Sequence, residues 1–176
     1  AGKGSSGLME AGNRAMLSES AVRNGFQVAG SFCDMAKFFD TVQTQPLFEA
    51  FVETGFPLVD AVMGLQVHMA PRVILINTVP SAPIIVDSSI LAGCGHSVPW
   101  VKALLHPGSQ ELVRKHPMYR TYVDDVSNVS VGSAPDVQDE IVRCALAFNS
   151  SIVIKRKFTL SPKSAVVASS NKLALR

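Results

Sequence analysis

Cysteine is scarce in this sequence. The three present, Cys33, Cys94 and Cys144, lie far apart, are odd in number and show no C-x-x-C spacing, so neither a disulfide framework nor a zinc site is suggested. A reducing, intracellular setting, cytoplasm or nucleus, is expected. Long apolar runs are also lacking. Nothing approaches membrane-spanning length, and the Gly/Ser-rich start "AGKGSSG" has neither an initiator Met nor the apolar core of a signal peptide. No membrane partner is expected, and the sequence reads as a piece of a longer protein.

Acids are missing from one end. Residues 141–176 hold seven bases (Arg143, Lys155, Arg156, Lys157, Lys163, Lys172 and Arg176) and no Asp or Glu, although the whole chain has 16 bases against 14 acids. A basic end favours a polyanion such as nucleic acid, although a solvated basic face gives the same composition.

What is present suffices for one packed domain over residues 1–176. The chain is 47% hydrophobic, and no internal repeat or low-complexity linker divides it. Residues 8–24 read as a helix, with Leu8, Ala11, Ala15, Ala21 and Val22 near one stripe and Gly25 as its stop. "FQVAGSFCDM" reads as a buried strand ending at Asp34. "TQPLFEAFVETG" has a Thr44 cap, Pro46 in its first turn and Gly55 as terminator. "PLVDAVMGLQVHM" makes a second helix. "RVILIN" and "APIIVDSSIL" read as a hairpin turning at Pro80 and Pro83.

Residues 98–106 then form a short helix with Pro99 at its start, followed by strands "MYRTYV" and "VSNVSVG". "SAPDVQDEIVRCALAF" is an amphipathic helix capped by Ser133, with Val137, Ile141, Ala145 and Phe148 on one face. "SIVIK" and "SAVVAS" are β-like. Without residues 41–92 the order is strand, helix, strand, strand, helix, strand. This is the split βαβ, ferredoxin-like order of an α+β domain, in which the first strand lies beside the central hairpin.

That topology gives meaning to "YVDD". Asp is a poor strand former and a common turn residue, so Asp124 and Asp125 at a hairpin tip need no function. The first strand, however, would bring Asp34 to the same tip. Three carboxylates without accompanying Cys or His favour Mg²⁺ or Mn²⁺ over zinc. Such a site suits nucleotidyl transfer, where the metal ions stabilise attacking and leaving oxygens at phosphorus.

On these residues the sequence resembles the reverse transcriptases, especially those of non-LTR retroelements and group II introns, over residues 12–169. "YVDD" is similar to their Y-x-D-D signature and "DMAKFFD" to their first palm motif. The resemblance implies an RNA-directed DNA polymerase with a polymerase palm and partial fingers, using deoxynucleoside triphosphates on an RNA or DNA template-primer. It implies that Asp34, Asp124, Asp125 and the Met35 carbonyl are ligands of Mg²⁺ or Mn²⁺, and that Tyr122 lies in the substrate site. Phe39 stands where a bulky side chain excludes a ribose 2′-OH. Without the resemblance it reads as a core aromatic.

"LSPKSAVVAS" resembles a later motif in which Lys163 faces the departing pyrophosphate. A solvated surface lysine is the plainer reading. In "GCGHS", Gly95, His96 and Ser97 replace the Pro, Gln and Gly of the usual G-x-P-Q-G nucleotide-pocket stretch. His68, His106 and His116 have no partner spacing. Before the first palm strand only Lys3, Arg14 and Arg23 are available to grip triphosphate, and little chain follows Lys163 to build a thumb. A catalytically silent palm, serving as a nucleic-acid-binding or scaffold piece, is the alternative these departures favour. An unrelated RNA-binding ferredoxin-like domain would need an aromatic platform, and Phe32, Tyr119 and Tyr122 are too scattered for one.

Overall fold

The computed structural model describes residues 7–174. The helices are α1 (Gly7–Arg23), α2 (Phe38–Thr41), α3 (Thr44–Thr54), α4 (Leu58–His68), α5 (Ser97–Lys115), α6 (Ala134–Phe148) and α7 (Asn171–Ala174). The strands are β1 (Gln27–Cys33), β2 (Leu75–Ile76), β3 (Val79–Pro80), β4 (Arg120–Tyr122), β5 (Asp125–Gly132) and β6 (Ala165–Ala168). Lys3 and Arg176 lie outside the described residues, as does the side chain of Lys172. Among the described residues, no helix is long and apolar enough to cross a membrane.

The chain divides into two compact units, Ala1–Ala36 with Gly108–Arg176, and Lys37–Pro107. The first is a four-stranded antiparallel sheet with helices. Its strand order is β4-β5-β1-β6, so β1 does pair with the second strand of the hairpin, Gln27 opposite Gly132 through Cys33 opposite Val126. Because side chains alternate across a strand, β1 buries one set on each face. Ala29 packs with Val137 and Ile141 of α6 on one side, and Val28 packs with Val129 and Ala21 of α1 on the other.

The two helices differ in how firmly they sit. α6 buries Val137, Ile141, Cys144 and Phe148. Cys144 takes the core position that the sequence assigns to Ala145, which is exposed. Ser133 caps α6, accepting from the Asp136 N–H, as expected. Of the apolar stripe expected in α1, only Ala21 is buried among the described side chains. Ala11 and Ala15 are exposed and Val22 is 49% exposed. α1 is also held by its Arg14 guanidinium, which donates to the Ser127 hydroxyl. An apolar groove of about 640 Å³ lies between α1 and the sheet, bordered by Ala15, Val22, Phe32 and Val167.

The second unit packs α3 and α4 with the first part of α5. Leu47, Ala50 and Phe51 of α3 are buried, and Phe51 meets Trp100 edge-on at 5.4 Å between ring centroids. Gly55 ends α3 at φ 67, the left-handed conformation that favours glycine. The helix begins one residue earlier than its expected cap implies: Gln43 is the N-cap, and Thr44 is the first helical residue, its hydroxyl bonding the Met69 sulfur.

Three further expectations are corrected. The inserted hairpin turns at Asn77 and Thr78, both with positive φ (48 and 70), and not at the prolines. That is the geometry of a two-residue turn whose twist matches the strands. Pro80 sits in β3, and most of "APIIVDSSIL" is not a strand, making only the isolated bridges of Ile84 with Arg72 and Ser88 with Gln43. Helix α5 runs to Lys115, through Pro107, instead of stopping at residue 106. Proline forfeits one backbone bond, but Leu104, Leu105 and Leu112 on either side are all buried. Finally, "SIVIK" is no strand. Asn149–Ile154 forms a wide helical turn continuing from α6, where burial of Ile152 and Val153 overrides their β propensity.

Candidate functional site

The acid-bearing hairpin is a two-residue turn. Tyr122 pairs with Asp125, leaving Val123 and Asp124 at the tip. Val123 has φ 57, a conformation that a β-branched residue adopts at a cost. Asp125 begins β5, whose partner β1 ends at Cys33 opposite Val126. The strand pairing therefore carries Asp34 to the end of β5 that bears the two acids.

Of the three acids, Asp125 feels the other two. The Asp125 carboxyl is pushed above its ordinary range, first by lost hydration and then by the charges of Asp124 and Asp34. Asp125 is an exposed residue overall, so the charge contribution is partly screened. Among the described residues, no group of three or more His, Cys, Asp or Glu is placed so that it could hold a metal ion.

The backbone around Asp34 is tied to the loop that precedes β6. The Ser161 N–H donates to the Asp34 carbonyl at 2.8 Å, and the Ala36 N–H donates to the Thr159 carbonyl at 2.8 Å. These bonds flank the isolated bridge of Met35 with Leu160. The polar backbone of Asp34 is spent on the loop that precedes β6. In the same loop Lys163 is exposed, and its N–H donates to the Ser161 hydroxyl at 3.2 Å. Tyr122 is 57% exposed.

Phe39, Gly95 and His96 belong to the second unit. Phe39 is half-buried in α2, its ring 5.5 Å from that of Phe38, and its carbonyl accepts from the Ile90 N–H. Gly95 is exposed, and a Cβ built there would touch nothing within 4 Å. His96 immediately precedes α5. Its ring lies 5.8 Å from Trp100 and nearly parallel to it.

Two of the three histidines without partner spacing in the sequence, His68 and His116, have partners in the fold, and His106 is exposed. His116 Nδ1 is 2.7 Å from Glu140. His68 is 1% exposed, and its Nδ1 accepts from the Leu91 N–H at 2.9 Å. The basic end is also less available than its composition suggests: Arg143 pairs with Asp139 and Glu140, and Arg156 is buried. Lys155, Lys157 and Lys163 remain exposed. The residues that sequence reading passed over are Ser161 and Ser164, which grip the Asp34 backbone, Ser164 from 130 positions away, and so have no local signal.

Comparison with known proteins finds no family model that matches this chain and no match among curated proteins.

Proposed function

We propose that this chain is the ferredoxin-like palm of an RNA-directed DNA polymerase of reverse-transcriptase type. The observation that carries the reading is the strand pairing that brings the end of β1, next to Asp34, to the end of β5 that follows Asp124 and begins with Asp125, so that the charge of Asp34 reaches Asp125. The strand order β4-β5-β1-β6, with a crossover helix before the hairpin and another after it, supports the ferredoxin-like assignment.

The donor chemistry, carboxylate oxygens with a main-chain carbonyl, suits a hard divalent cation, although the three acids are not gathered into a group that could hold one unaided. Carboxylate oxygens whose mutual repulsion raises the pKa of one of them gain from a cation, and Mg²⁺ is typically held by one or two carboxylates completed by substrate phosphates. Asp34 and Asp124 would hold it, with Asp125 and the Met35 carbonyl beside them. Bound there, Mg²⁺ or Mn²⁺ supplies Lewis acidity at the phosphorus being transferred. Lys163 would neutralise charge on the departing pyrophosphate. Tyr122 would line the substrate site. The roles that the resemblance implies for Phe39, which favours deoxynucleoside triphosphates, and for Gly95 and His96, which shape a nucleotide pocket, belong to residues of the Lys37–Pro107 unit. The template-primer is RNA or DNA.

A catalytically silent palm that binds nucleic acid is the second reading. It is favoured by His96, whose ring stacks on Trp100 where the related enzymes carry a glutamine. Mn²⁺ titration followed by electron paramagnetic resonance, with primer extension on an RNA template, tests the first reading. Weak Mn²⁺ binding and extension should both be lost in Asp34→Ala and Asp124→Ala. The melting temperature should hold or rise, because removing one acid relieves like-charge repulsion. Equal Mn²⁺ affinity in wild type and Asp124→Ala removes the hairpin from the site.

A further inference from the structure

We propose that Ser164 is a positioning residue for Asp34, locking the first acid to the Lys163 loop so that the two are held as one rigid piece. The inference rests on the palm reading and adds to it a residue outside the acid cluster.

Asp34 stands one residue beyond the end of β1, where its backbone N–H and carbonyl lose their ladder partners. Unpaired backbone groups away from water are costly and are nearly always satisfied. Here one side chain satisfies both. The Asp34 N–H donates to the Ser164 hydroxyl at 3.1 Å, and the same hydroxyl donates to the Asp34 carbonyl at 3.3 Å. A serine hydroxyl has one proton to give and two lone pairs to accept with, so the two bonds are compatible. The Asp34 carbonyl also accepts from the Ser161 N–H at 2.8 Å.

The gripping loop is itself closed. The Ser164 N–H donates to the Ser161 carbonyl at 3.0 Å, and the Lys163 N–H donates to the Ser161 hydroxyl at 3.2 Å. Lys163 therefore lies inside a four-residue turn, both ends of which hold the backbone of Asp34. A carboxylate that ligates a metal needs its own orientation fixed. Partners that fix it usually matter 10- to 100-fold in metal affinity. Ser164 holds the Asp34 backbone from which the carboxylate springs, and it is adjacent to the lysine assigned to the leaving group. A shift of the loop would displace acid and base together.

The test uses this chain, with Mn²⁺ as the probe and the Asp34 amide as an independent reporter. In Ser164→Ala the Mn²⁺ affinity should fall roughly tenfold and hydrogen exchange at the Asp34 amide should accelerate, with the melting temperature little changed. Ser164→Thr keeps the hydroxyl and should restore both. If Ser164→Ala does not fold, Ser164→Cys keeps the shape with a weakly hydrogen-bonding thiol and carries the same comparison. Wild-type Mn²⁺ affinity in Ser164→Ala, with binding lost in Asp124→Ala, overturns the positioning role and leaves the palm reading standing. Absence of Mn²⁺ binding in the wild type overturns the palm reading and this inference together.

Discussion

Val123 carries the sharpest local conflict in the structure. It holds φ 57 as the first residue of a two-residue hairpin turn, a position where glycine is favoured because a Cβ is crowded there. Left-handed backbone costs an ordinary L-residue roughly 1–2 kcal/mol. Glycine relieves that but loses roughly 0.5–1 kcal/mol in chain entropy. Val123→Gly should therefore stabilise the fold by about 0.5–1 kcal/mol, seen as a higher denaturation midpoint at unchanged m-value. A lower midpoint would mean that the tip is unstrained. The strain sits between Tyr122 and Asp124, in the turn that carries the acids. Stored strain at such a point is characteristic of functional sites.

Helix α4 shows how packing reverses a propensity. Gly64 lies in its interior, and replacing an interior glycine with alanine ordinarily gains about 1 kcal/mol. Here a Cβ would come within 2.5 Å of Trp100 Cζ2 and 3.2 Å of His96 Nδ1. Trp100 is 1% exposed, so its ring has little room to retreat, and overpacking costs typically 1–3 kcal/mol. Gly64→Ala should lower stability by about 1–2 kcal/mol in thermal or denaturant melts, while Val59→Ala on the exposed face of the same helix should leave it nearly unchanged. A stabilised Gly64→Ala protein would refute the close approach. Elements with strong punctuation were legible in the sequence for the same physical reason that they form: Gly55 stops α3, Ser133 caps α6, and the period-2 runs flanking "YVDD" pair as β4 and β5. Elements decided by distant contacts were not. Burial of Leu112 carries α5 past Pro107, and burial of Ile152 bends a β-branched run into a helical turn. The same division holds at the site. "YVDD" and Asp34 could be joined through the strand order, but the grip of Ser164 on Asp34 spans 130 residues and leaves no periodic or motif signature.

Acid acts on the two compact units with opposite signs. In the Gly108–Arg176 unit the Asp125 carboxyl is raised above its ordinary value, so the folded form takes up a proton before the unfolded chain does. The penalty it carries at neutral pH is relieved as pH falls through its folded pKa toward the usual carboxylate range. In the Lys37–Pro107 unit His68 is lowered from its ordinary 6.5, by burial first and then by the charges of His96 and Arg72. Its Nδ1 is already occupied as the acceptor of the Leu91 N–H, so protonation there would break that bond. A depressed histidine contributes stability that is present in full above 6.5 and is lost as pH falls from 6.5 through the folded pKa, at about 1.4 kcal/mol for each unit of depression. The chain's single tryptophan, Trp100, has its ring 4.6 Å from that of His68, so its fluorescence reports on this unit. The denaturation midpoint followed by Trp100 should fall on moving from about pH 7.5 to about pH 5, across the ordinary histidine range. His68→Asn offers an amide oxygen where Nδ1 now accepts and cannot titrate, so its midpoint should change much less over the same interval. Identical pH dependence in the two proteins would show that His68 is not the group that acid attacks.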